Sequence, residues 1–109
     1  MDFKQEWNKL QDEAYETAKK NGFHEGERNL AEMLALIHSE ISEALEALRF
    51  GNPPDDKIPH RSGAEVELAD VVIRIMNMAA YCKWDVAGAI EDKMAYNKTR
   101  SYKHGGKKF

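Results

Sequence analysis

Two pairs of carboxylates carry the first chemical signal in this sequence. Glu40 and Glu43 stand three residues apart, and so do Glu67 and Asp70. Residues three apart on a helix share a face, so each pair points two carboxylates the same way. If the two helices pack together, four carboxylates meet. Like charges crowded into a partly desolvated groove repel, and some stay protonated unless a counter-ion arrives. A hard divalent cation relieves the repulsion: Mg²⁺, with Mn²⁺ as its substitute, takes oxygen ligands. Ions held this way can bind a polyphosphate and lower the pKa of an attacking water. Either pair alone is commonplace on a solvated helix face. Their weight comes from where they lie in their helices.

The pattern is helical almost throughout, with no sustained period-2 alternation that would mark a strand. A first helix is expected from about Asp2 to Lys20, stopped by Asn21-Gly22. A second begins after Asn29, with Glu32 completing a capping box, and runs to about Phe50. The stretch from Gly51 to His60 holds all three prolines and reads as a loop. Ser62 with Glu65 caps a third helix running to about Lys83, and Asp85 caps a fourth reaching Arg100 or Tyr102. The tail over 103–109 is basic and carries two glycines. The fold class is therefore all-α, a four-helix bundle in a single domain spanning residues 1–109.

Helical residues advance by about 100° each. On that wheel Leu30, Leu34, Ile37, Ile41, Ala44 and Leu48 form an apolar stripe on the second helix. Met33, Leu36 and Ala47 widen it, and Glu40 falls inside the widened part with Glu43 at its margin. The third helix is apolar over about two thirds of its circumference and keeps one polar strip of Glu67, Asp70, Arg74 and Asn77. So apolar a helix is hard to cover with three others from one short chain, and a homo-oligomer would bury it. Carboxylate-bearing di-iron bundles use a Glu-x-x-His step on two helices. Here Glu43 and Asp70 occupy those third positions, which favours an oxygen-only, Mg²⁺-type site.

The fourth helix places Lys93, Asn97 and Arg100 on one face, followed by His104, Gly105, Gly106, Lys107 and Lys108. This set suits an anionic ligand such as a triphosphate. The chain as a whole is mildly acidic, with 16 Lys and Arg against 19 Asp and Glu, which disfavours nucleic acid as a partner. No apolar run approaches a bilayer span, the N-terminal residues lack an apolar signal core, and the single Cys82 rules out a disulfide framework within the chain. A reducing cytoplasm is the expected compartment, with no membrane partner.

The run Leu36-Ile37-His38-Ser39-Glu40-Ile41-Ser42-Glu43-Ala44-Leu45-Glu46, followed by Glu67-Leu68-Ala69-Asp70-Val71-Val72, resembles the MazG-like branch of the all-α nucleoside triphosphate pyrophosphohydrolases. The family pattern is EExxE, a spacer, then ExxD. Ser39 stands where that pattern has its first Glu, while the positions matching the four usual metal ligands, Glu40, Glu43, Glu67 and Asp70, are all carboxylates. Lys93, Asn97, Arg100 and the His104-Gly105-Gly106-Lys107 tail also resemble short family members. The resemblance implies Mg²⁺-dependent hydrolysis of an NTP or dNTP to monophosphate and pyrophosphate, in nucleotide-pool control or house-cleaning. It implies Glu43 or Glu40 orienting the water, and Lys93, Asn97, Arg100 and Lys107 on the phosphates. It implies a homodimer or homotetramer with sites at subunit interfaces. An aromatic of the N-terminal helix contacts the base in related enzymes, which singles out Trp7 from Phe3, Phe23 and Trp84. Asn77 is the candidate for the base or ribose. The competing expectation is a catalytically silent helical interaction module that uses the acidic groove for binding.

Overall fold

The computed structural model describes residues 1–100, and these form four helices joined by turns and loops. They are α1 (Phe3–Lys20), α2 (Leu30–Arg49), α3 (Gly63–Cys82) and α4 (Val86–Asn97). The starts follow from side-chain capping. Asp2 and Gln5 form a capping box on α1, and Ser62 and Glu65 form one on α3. Asn29 accepts the Glu32 amide at 3.1 Å. The bond returning from the Glu32 side chain is not made, so the box expected at α2 is only half present. Asp85 accepts the Gly88 amide at 2.9 Å and also pairs with Lys4 at 2.8 Å, tying the start of α4 to the start of α1.

α4 stops at Asn97, short of the Arg100 or Tyr102 expected from sequence. Residues 91–100 are all exposed, so the outer half of this helix has no packing partner among the described residues to offset fraying. α3 ends on Lys83 in the left-handed region, φ 59°, with the Trp84 amide reaching back to the Ala79 carbonyl at 2.9 Å. A Cβ in that conformation costs about 1 kcal/mol. Lys83→Gly is accordingly expected to stabilise the protein by about 0.5–1 kcal/mol, read as a higher urea midpoint. An unchanged or lower midpoint would mean the lysine side chain contributes as much as the backbone strain removes.

α2 and α3 pack side by side, α1 lies against α3, and α4 rests chiefly on α1. The end of α2 approaches the start of α3 closely at Gly63, where a Cβ would meet the Ala47 Cβ at 3.2 Å. Asn52 clasps the intervening loop by accepting the Ala64 amide at 2.8 Å. This pairing brings the two carboxylate-bearing helices into register.

The inward face of α2 differs from the stripe read on the wheel. Met33 and Ala44 are buried, and Leu36, Ile37, Glu40 and Ala47 are half-buried. Leu34, Ile41, Leu45 and Leu48 are instead 47–58% exposed. The apolar arc of α2 spans two faces: one packs on α3 and includes Glu40, while the other has no partner among the described residues. On α3, Leu68, Val72 and Ile73 are exposed as well. Among the described residues, no large side chain is fully buried. The radius of gyration is 16.4 Å, against about 13 Å for a compact chain near this length. The helices form an open arrangement rather than a closed bundle.

Candidate metal and nucleotide site

Glu40 on α2 and Glu67 and Asp70 on α3 each present a carboxylate oxygen, and the three oxygens lie within 4.8 Å of one another. All three residues are half-buried. The pKa of Glu67 is pushed up to about 7, first by burial, then by a hydrogen bond with Glu40, then by the charges of Glu40, Asp70 and Glu43. Asp70 is also raised, by burial and the Glu40 charge, against the opposing pull of Arg74. These are the signs expected of carboxylates gathered without enough positive charge. Glu43 sits on the next turn of α2, exposed and outside this tight group, though near enough for its charge to act on Glu67. An all-oxygen donor set of this kind fits Mg²⁺ or Mn²⁺.

A cavity of about 260 Å³ opens from these carboxylates, with Glu40 and Asp70 in its wall. Met33, Leu36 and Ile73 supply apolar surface, and Arg74 and Asn77 continue the polar strip of α3 into it. The far side comes from the end of α1 and the following loop, with Thr17, Phe23, His24 and Arg28. His24 is held between Tyr15 and Tyr81, with ring centroids at 4.6 and 5.7 Å. The Arg28 backbone amide donates to the Tyr81 hydroxyl at 2.8 Å, pinning the loop onto α3. Arg28 Nη1 faces His24 Nδ1 at 3.3 Å and also donates to the Phe23 carbonyl. Arginine has only donors, so Nδ1 accepts and the neutral ring carries its proton on Nε2. Burial, then Arg28 and Lys19, lowers the His24 pKa and keeps the ring neutral. Among the described residues, His24 Nε2 and Asn77 Oδ1 are both buried without a hydrogen-bond partner. One is a donor and the other an acceptor, and unsatisfied groups of this kind are costly.

Of the residues singled out from sequence, Glu40, Asp70 and Asn77 line this cavity, and Glu67 joins Glu40 and Asp70 in the carboxylate group beside it. Trp7 does not line it. Its indole Nε1 donates to Gln11 at 3.1 Å and its ring tilts against Phe3 at 5.9 Å, several turns from the cavity end of α1. Lys93, Asn97 and Arg100 are exposed on the α4 side and contribute nothing to the cavity wall of the same protomer. The Lys93 and Arg100 cations lie over the Tyr96 ring at 4.7 and 5.8 Å. Lys107 lies outside the described residues. The sequence offered no signal for Arg28 and only a weak one for His24. Arg74 was visible in the polar strip, one turn beyond Asp70, but was assigned no role.

No family model matches the chain, and no curated protein or solved structure matches it. Among the described residues, no helix is long and apolar enough to cross a membrane.

Proposed function

We propose that the chain is a Mg²⁺-dependent nucleoside triphosphate pyrophosphohydrolase of the MazG-like kind, cleaving an NTP or dNTP to monophosphate and pyrophosphate. The observation that carries the reading is the continuity of the carboxylate group with the cavity, which share Glu40 and Asp70. A phosphate chain bound at the carboxylates through a cation leaves its nucleoside end in the cavity. Glu40, Glu67 and Asp70 would hold the cation, with Glu43 as an added ligand at the open side. When bound, the cation supplies charge neutralisation at the phosphate oxygens and favours deprotonation of an attacking water. Glu43, solvent-facing, or Glu40 orients that water for in-line attack. Met33, Leu36 and Ile73 exclude water from the nucleoside, and Asn77 and His24 offer an acceptor and a donor to its polar edge. Asn77 thereby keeps the base-binding role, while Trp7 gives way to the loop residues Phe23 and His24.

The site is completed by a second copy. The exposed leucine face of α2 and the exposed apolar residues of α3 are the surfaces that a homodimer or homotetramer covers. Lys93, Asn97 and Arg100, which do not line the cavity of their own protomer, then serve the phosphates of a neighbour. A second reading, a catalytically silent helical interaction module that uses the acidic groove for binding, draws on the same absence of the α4 cations from the cavity wall.

Product analysis with all NTPs and dNTPs in Mg²⁺ separates the two. Monophosphate with pyrophosphate, strongest for one base, is the expected outcome. Orthophosphate release would overturn the cleavage position. No turnover of any nucleotide, in protein that still binds Mg²⁺, would favour the silent module.

A further inference from the structure

Among the described residues, Arg74 makes the one ion pair to the carboxylate group. Its Nε–H donates to Glu40 Oε1 at 3.0 Å. The contact is sheltered, with the Glu40 side chain 16% and the Arg74 side chain 35% exposed. A guanidinium has five N–H donors. Only Nε–H finds a protein acceptor among the described residues, and the side chain forms part of the cavity wall. The other arginine of the cavity, Arg28, is already committed to the Phe23 carbonyl and His24.

Resting on the metal-dependent reading above, we infer that Arg74 is an exchangeable counter-cation. It neutralises Glu40 while the carboxylates are empty, yields Glu40 to the divalent cation, and then turns its guanidinium to a phosphate of the nucleotide in the cavity. Two cations cannot share one carboxylate without repelling each other, and in a half-buried site that repulsion is poorly screened. The displaced guanidinium is a planar fork matched to phosphate oxygens. It stands on α3, one turn from Asp70, so a small side-chain rotation keeps it beside the same ligand. The role differs from that of a fixed salt bridge because metal and nucleotide respond to its loss in opposite directions.

Arg74→Gln and Arg74→Lys test this by calorimetric titration of the full-length protein. The first titration uses Mg²⁺ alone, and the second a non-hydrolysable α,β-imido dNTP at saturating Mg²⁺. Arg74→Gln is expected to bind Mg²⁺ about tenfold more tightly, because the competing charge is gone. It is expected to bind the imido nucleotide about tenfold to a hundredfold more weakly, because a charge-assisted hydrogen bond to phosphate is lost. Arg74→Lys, which keeps the charge but not the fork, should retain wild-type Mg²⁺ affinity and recover part of the nucleotide affinity. Weaker or unchanged Mg²⁺ binding in Arg74→Gln would overturn the exchange and make Arg74 a static support of Glu40. Unchanged nucleotide affinity would overturn the phosphate contact. Wild-type protein that binds neither Mg²⁺ nor the nucleotide would overturn the functional reading itself, and this role with it.

Discussion

Glu67→Gln is expected to stabilise the metal-free protein at pH 8 while reducing Mg²⁺-dependent nucleotide hydrolysis by about a thousandfold. Burial and three neighbouring carboxylates raise the Glu67 pKa from 4.5 to about 7. The folded state therefore keeps a proton on Glu67 between those values, where the unfolded chain has already released it. Stability from this group is fully present below about pH 4.5 and is lost as pH rises through 7. Asp70, shifted the same way, adds to that slope. The full shift converts to about 3 kcal/mol at most, and partial solvent access reduces it to about 1–2 kcal/mol. Thermal melts at pH 5 and pH 8 measure it. Metal-free wild type should melt about 5–10 °C lower at pH 8 on this account, and Glu67→Gln should recover most of the difference. Mg²⁺ should restore the wild type at pH 8, by preferential binding to the folded state, and should leave the variant largely unmoved. A wild-type melting point that is flat or rises between pH 5 and pH 8, with no Mg²⁺ response, would mean that the carboxylates are an ordinary solvated face.

What could be read in the sequence was whatever depends on neighbours along the chain. Ser62 with Glu65, Asp85 before α4 and Asn21-Gly22 after α1 act within one turn, and the helix boundaries follow from them. The spacing of Glu67 and Asp70 also acts within one turn. That Glu40 faces them needed one further step, its place among Met33, Ala44 and Ala47, and the same residues form the face of α2 that meets α3. The error lay in the neighbouring stripe. A wheel with apolar residues over more than half its arc does not say which half meets a helix of the same chain, so Leu34, Ile41 and Leu48 read as core. The length of α4 was overread for a related reason: its residues favour helix, but none of the described residues packs on its outer half. His24 and Arg28 could not be found from spacing. Their approach to Asn77 and Asp70 comes from the chain reversal between α1 and α2, where Gly22 and Gly26 adopt positive φ and Arg28 reaches Tyr81 across a long sequence separation. The unpartnered Asn77 Oδ1 and His24 Nε2 are visible only in three dimensions.

Leu45→Glu is expected to convert a homo-oligomer into monomers and abolish nucleotide hydrolysis without unfolding the chain. Leu45 is 52% exposed in the protomer, on the outward face of α2 with Leu34, Ile41 and Leu48. A glutamate there remains solvated in the monomer, so helix content should be unchanged. In an assembly that covers this face the same carboxylate is buried without a partner, which costs several kcal/mol per subunit. Because a symmetric interface repeats each residue, the penalty is incurred twice in a dimer. Sedimentation velocity at micromolar protein reads the mass. Hydrolysis should fall by at least a hundredfold, because the phosphate-side residues Lys93, Asn97 and Arg100 do not line the cavity beside Glu40 and Asp70 of their own chain. Mg²⁺ binding should change far less, since Glu40, Glu67 and Asp70 all come from one chain. That split matters more than the loss of activity itself. A monomer that binds Mg²⁺ but does not turn over nucleotide places the phosphate-side groups on the partner. A monomer that remains fully active would remove Lys93, Asn97 and Arg100 from the mechanism and leave Arg74 as the cation that holds the phosphates.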